Sequence, residues 1–151
     1  MTVTSELFEY APDVDLSGRE LDAIRAVCLD YIESWYNADA DRMRGSLHPD
    51  LAKHTLVRRA TDGEDQFELA PHSAASLVEM TGNVAPQPAD DRRADVRILA
   101  ATHFLASAEV ISAEMIDLLH LIRLPEGWRI IHALWGIQGG ALMTRSGDTS
   151  S

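Results

Sequence analysis

The sequence predicts an α+β fold in which helices come first and a run of antiparallel strands follows, so that the helices pack on one face of the sheet. Two patterns carry this reading. In the first third of the chain apolar residues recur three or four apart, the period of a helix with one buried stripe. From Asp95 onward, "DVRILAATHFLASAEVISAEMIDLLHLIRLPEGWRIIHALWGIQ" is rich in Ile, Val and Leu with brief turns, and reads as four successive strands. The length of 151 residues, with 46% hydrophobic and 25% charged side chains, suits a single domain with one core.

The elements follow in order. Residues 1–16 are acidic and contain Pro12, which predicts an extension outside the domain. The domain then spans 17–138, and the small, polar residues 139–151 predict a frayed, flexible tail. In "SGRE", Ser17 stands three residues before Glu20, the spacing of a capping box at a helix start. Leu21, Ile24, Cys28, Tyr31 and Trp35 form the buried stripe of that first helix, and "NADAD" ends it. A second short helix near Arg42–Leu47 must stop before His48-Pro49, because a residue preceding proline avoids the α region. Residues 51–60, "LAKHTLVRRA", suit a short strand, and "TDGED" a turn. A third helix is expected from about Ser73 to Met80, and Pro86 and Pro88 make residues 82–91 a loop.

The last two strands form a hairpin. A two-residue loop, Pro125-Glu126, can join Leu124 to Gly127. Unbroken pairing from that turn sets Arg123 opposite Trp128, His120 opposite Ile131 and Leu118 opposite Ala133. Because strand residues alternate between faces, Leu118, His120, Ile122, Ile131, Ala133 and Trp135 would share one face, the expected pocket face. Asp117, Leu119, Leu121, Trp128, Ile130, His132 and Leu134 would share the other, with His132 near Asp117. A three-residue loop, Pro125–Gly127, would instead set His120 opposite His132. Both faces are mostly apolar, whereas a sheet with one wet face alternates apolar and polar. Helices cover only one face, so the sequence predicts a homodimer packed sheet to sheet.

Charge and composition narrow the partners. The net charge of −11 excludes nucleic acid or an anionic membrane as the main partner, since both require a positive surface. Cys28 is the sole cysteine, so no intrachain disulfide or thiolate metal cluster can form, and its place on the apolar stripe predicts a buried, inert thiol. No apolar run approaches the length of a membrane span. The first residues lack a basic start followed by an apolar block, which predicts no secretory signal and a cytoplasmic location.

"AIRAVCLDYIESWYNADADRMRGSLHPDLAK" and "DLLHLIRLPEGWRIIHALW", in this order and spacing, make residues 18–137 resemble the nuclear-transport-factor-2-like superfamily, nearest its subgroup labelled "putative lumazine-binding" and the SnoaL-like cyclases. The resemblance implies a cone: a curved antiparallel sheet wrapped around about three N-terminal helices, with a pocket at the open end. A more distant likeness to the ketosteroid isomerases implies site residues. Their pocket uses a tyrosine on the first helix and a protonated aspartate on a late strand as oxyanion hole, with a second aspartate as base. Tyr31 in "LDYIESWYNAD" stands where that tyrosine would be, and His120 in "LHLIRL" about where the oxyanion aspartate would be. His54 or Thr55, in "AKHTL", stands near the base position, and Trp135 in "HALWG" matches an aromatic that closes the pocket.

Each candidate also has a plainer reading. His120 is a core histidine with one hydrogen bond, or a pocket acid, base or donor. Tyr31 is a core aromatic, or a donor to a substrate oxygen. His48 favours a helix C-terminus, and His54 lies exposed on an edge strand, or either moves a proton. His72 and His103 read as solvent-facing. Trp35, Leu118, Ile131 and Trp135 would supply the apolar walls. Together these residues predict a small enzyme needing no cofactor, which acts on an apolar organic molecule by acid–base chemistry: isomerisation, cyclisation, dehydration or elimination. The alternative is a non-catalytic ligand-binding or dimerisation module. A third reading, a metal held by His48, His54 and His120, lacks HxH or HxxxH spacing.

Overall fold

The structure is a computed structural model that describes residues 16–146. The acidic extension therefore lies, apart from Leu16, outside the described residues. Three helices and a seven-stranded sheet make up the described chain: α1 (Gly18–Asn37), α2 (Ala40–Ser46), β1 (Leu47–Arg59), β2 (Gln66–Ser73), α3 (Ala74–Asn83), β3 (Asp95–Ala101), β4 (Leu105–Ile111), β5 (Met115–Leu124), β6 (Gly127–Ile137) and β7 (Met143–Arg145). The sheet is curved and unclosed, and the helices fill its concave side. Its strand order is β2-β1-β6-β5-β4-β3, with β7 on β1.

Two features differ from the sequence reading. The sheet is mixed rather than wholly antiparallel, because β1 runs parallel to both β6 and β7. Helix α3 and strands β2 to β5 separate β1 from β6, so the chain has room to return in the same direction. Strand β2 was not foreseen: "QFELAPHS" contains a proline and bears exposed Phe67 and Leu69, and pairing with β1 along Arg59–Ala52 makes it a strand. The predicted tail also contributes a strand, since Met143–Arg145 pairs with Val57–Arg59.

The helix starts follow local chemistry. Ser17 caps α1, its hydroxyl accepting from the Glu20 N–H at 3.3 Å. Glu20 does not complete the box. Its carboxylate reaches across to the β5–β6 hairpin, where it accepts from Trp128 Nε1 and Arg123 Nη2, both at 2.9 Å. The helix is thereby pinned to the sheet at its first turn. Asp39 caps α2 and Ser73 caps α3. Between Leu47 and Ala52, β1 departs from its pairing with β6. The excursion contains Pro49, which has no N–H for the ladder, and it places His48, whose Nδ1 accepts from the Asp50 N–H at 3.0 Å.

The core joins Ile24, Cys28 and Ile32 of α1 to Val110, Leu119, Leu121 and Ile130 of the sheet. Cys28 is fully buried, as its place on the stripe predicts. The opposite face of the sheet exposes Phe67, Leu69, Leu118 and Leu134. Among the described residues nothing covers them.

Candidate functional site

The hairpin register decides which side chains reach the concave side. The two-residue turn forms as expected, with Leu124 paired to Gly127, Arg123 to Trp128 and Leu121 to Ile130. Beyond it Ile131 is an extra residue, and pairing resumes with His120 opposite His132 and Asp117 opposite Trp135. A β-bulge of this kind puts two residues of one strand opposite one of the other, and reverses inward and outward along the bulged strand beyond it. Buried Trp128, Ile130 and Ala133 face inward on β6, as Asp117, Leu119 and Leu121 do on β5.

Several expected placements are therefore corrected. His120 and Leu118 point to the outer face, where the His120 and His132 rings meet edge to face with centroids 5.7 Å apart. Ile131 occupies the bulge, and none of these three lines the cavity. His132 lies away from Asp117. His54 alternates with Lys53 on β1 and pairs in register with Leu134, so it also faces outward. His48 is engaged in its own turn. His48, His54 and His120 do not assemble, and among the described residues no three His, Cys, Asp or Glu side chains are grouped to hold a metal.

A cavity of about 510 Å³ opens between α1, α3, β1, β2 and the ends of β5 and β6. Tyr31, Trp35 and Trp135 line it. Ile32, Tyr36, Met43, Leu77 and Met115 complete its apolar walls, and the exposed Asp91 and Glu114 stand at its rim. His72, expected to face solvent, lines it as well, because β2 sets His72 directly opposite Lys53.

The polar centre is three residues from three elements. The Tyr31 hydroxyl on α1 donates to Asp117 Oδ1 on β5 at 2.8 Å. Lys53 Nζ on β1 donates to the same hydroxyl and lies 3.6 Å from Asp117 Oδ1. The Lys53 ammonium also sits 5.0 Å from the centre of the Tyr31 ring and 5.9 Å from that of Trp135, a cation–π distance. Side-chain exposure is 13% for Lys53 and 6% for Asp117, so this is an ion pair largely withdrawn from water.

Burial sets the acidities. It pushes the Tyr31 hydroxyl well above the ordinary phenol range, with the Asp117 charge adding to the effect, so Tyr31 stays protonated. Burial also lowers Lys53, and the Asp117 charge only partly opposes this, so the ammonium gives up its proton more readily than an exposed lysine. His72 is lowered by burial and by the Lys53 and His54 charges, and remains neutral near pH 7. Asp117 Oδ2 makes no hydrogen bond among the described residues. The site thus pairs a carboxylate oxygen without a donor with an ammonium whose third N–H is uncommitted.

Asp117 and Lys53 were not singled out by sequence reasoning. The missing signal was the bulge at Ile131, since an unbroken register places Trp135, which marks the cavity, on the face opposite Asp117. For Lys53, alternation with buried Leu51, Thr55 and Val57 along β1 was the available clue.

The family model described as "Putative lumazine-binding" matches residues 19–136. No curated protein matches the chain. Among solved structures, an NTF2-like protein of unknown function from Shewanella baltica is 19% identical, with TM-score 0.67 over 84% of this chain and 100% of that one. A second, from Silicibacter pomeroyi, is 15% identical, with TM-score 0.60 over 82% and 100%. A protein from Novosphingobium aromaticivorans described as a "putative aromatic ring hydroxylase" is 11% identical, with TM-score 0.57 over 82% and 92%. Identities this low establish a shared fold.

Proposed function

We propose, for a chain that belongs to the "putative lumazine-binding" family of the nuclear-transport-factor-2-like superfamily, that the cavity binds a small, planar, mostly apolar carbonyl compound and moves a proton at the carbon next to its carbonyl group. Isomerisation, cyclisation and elimination all contain this step. The observation that carries the reading is the Lys53–Tyr31–Asp117 cluster, buried in a cavity otherwise walled by aromatic and aliphatic side chains. Asp117 Oδ2 takes the carbon-bound proton. The uncommitted N–H of Lys53 meets the oxygen that becomes negative, where low dielectric strengthens the contact. Tyr31 fixes the two charged groups relative to each other. Trp35 and Trp135 hold the flat substrate.

The test is hydrogen–deuterium exchange at the α-carbon, followed by proton NMR in heavy water with β-tetralone and cyclic β,γ-unsaturated ketones as probes. The protein accelerates exchange, and Asp117→Asn removes about 10²–10⁴-fold of that acceleration. Binding of the probes, seen by line broadening, without any accelerated exchange would leave the chain a ligand-binding module.

The same reading includes a homodimer through the outer sheet face, supported by exposed Phe67, Leu69, Leu118 and Leu134 on one apolar surface. Placing arginine at both Leu118 and Leu134 is expected to shift the sedimentation coefficient from dimer to monomer. If the unaltered chain already sediments as a monomer at micromolar concentration, the dimer is excluded.

A further inference from the structure

We propose that Lys53 reacts covalently with the carbonyl group of the bound ligand, forming a protonated Schiff base through which the neighbouring carbon is made acidic. This rests on the reading of the cavity as a carbonyl site with Asp117 as base, and replaces the Lys53 hydrogen bond to the substrate oxygen with a covalent bond to its carbonyl carbon. The composition points the same way. Lys53 is the one lysine of the chain, and every other basic side chain among the 13 is arginine. Lysine is ordinarily a surface residue, yet here the single copy stands inside the cavity with 13% of its side chain exposed. A purely structural partner for Asp117 would be served at least as well by arginine, which holds carboxylates in a two-pronged fork and keeps its charge. What lysine offers and arginine lacks is a nitrogen that can lose its proton and attack carbon.

The surroundings suit that chemistry. The Tyr31 hydroxyl accepts from Lys53 and donates to Asp117, so it links the amine to a proton acceptor in one relay. The aromatic faces of Tyr31 and Trp135 border the ammonium and exclude water from the resulting imine.

The step balances without oxidant or reductant. One ammonium proton passes through the Tyr31 hydroxyl to Asp117. The free amine forms a bond to the carbonyl carbon, and a second amine proton moves to the oxygen, giving a neutral carbinolamine. Asp117 returns its proton to that hydroxyl, the C–O bond breaks, water leaves, and the nitrogen lone pair closes the C=N bond. Overall, ammonium plus carbonyl becomes iminium plus water, with one positive charge on each side. Asp117, again a carboxylate, is then placed to take the α-proton, which the iminium has acidified.

Reductive trapping tests this. The full chain is incubated with β-tetralone and sodium cyanoborohydride, and the adduct is located by peptide mass mapping, which separates Lys53 from the α-amino group. Labelling of Lys53 is expected at least about tenfold faster in the folded chain than in the same chain unfolded in urea, a comparison that needs no variant. Lys53→Arg, which keeps the charge, is expected to lose both the adduct in that peptide and the accelerated α-exchange. If α-exchange proceeds in the wild-type protein but no adduct forms on Lys53, the Schiff base is overturned and the acid–base reading stands. If β-tetralone binds yet neither exchange nor adduct appears, both are overturned.

Discussion

Asp117→Leu is expected to lower the free energy of unfolding by about 3–5 kcal/mol, the range found when one partner of a buried ion pair is removed. The reason is not the lost attraction alone. The substitution leaves the Lys53 ammonium with 13% exposure and no counter-charge, and leaves the Tyr31 hydroxyl without the carboxylate it donates to. The triple variant Tyr31→Phe, Lys53→Met, Asp117→Leu removes the whole cluster and replaces it with hydrocarbon. It is expected to be close to wild type, or more stable, because the desolvation cost of both charges disappears together. Urea unfolding of the single, paired and triple variants gives the coupling directly. Single substitutions that cost under about 1 kcal/mol each and add linearly would show that water screens the cluster, and would remove its claim to an unusual lysine. The expected pattern also fits a functional cluster: a site held at a stability cost that an apolar replacement would relieve.

The sequence carried most of the architecture. The helical stripe through Ile24, Cys28, Tyr31 and Trp35, the cap at Ser17, the helix start near Ser73 and the turn at Pro125-Glu126 are local signals found where local chemistry puts them, while Leu21, also expected on the stripe, is exposed. What escaped was non-local. Strand β2 has no clean alternation of its own and becomes a strand because β1 offers an edge. The parallel pairing of β1 with β6 joins segments more than 70 residues apart, which no window of sequence reveals. The bulge at Ile131 mattered most. One extra residue between Ile130 and His132 carries Trp135 from the His120 face to the Asp117 face, so the face that Trp135 marks as the cavity holds a carboxylate in place of a histidine. An aspartate in the apolar run "EMIDLLHLI" was itself a clue, because a buried carboxylate needs partners, and Tyr31 and Lys53 provide them.

Raising the pH above 9 is expected to destabilise the protein through Cys28 and then Tyr31. Burial holds the Cys28 thiol up at about 12 against an ordinary 9.0. Above pH 9 the unfolded chain releases this proton and the folded one keeps it, so unfolding is favoured as pH rises. The stability tied to Cys28 is complete below pH 9 and is lost by about 1.4 kcal/mol per pH unit, roughly 4 kcal/mol by pH 12. Tyr31 acts with the same sign from about pH 10, where an exposed phenol ionises and the buried one does not. Lys53 acts oppositely. Its folded acidity is raised, so just below pH 10.5 the unfolded chain holds more protons and stability climbs with pH. The thiol and phenol contributions separate by variant. Cys28→Ala lowers stability by a constant amount at neutral pH, from the lost sulfur packing, but flattens the decline that begins near pH 9. Tyr31→Phe leaves that decline and removes the steeper one beyond pH 10. Urea midpoints measured from about pH 8 to about pH 11 would show this as curves for wild type and Cys28→Ala that converge with rising pH. Curves that stay parallel would mean that the thiol ionises as an exposed one does, and that the core around Cys28 admits water.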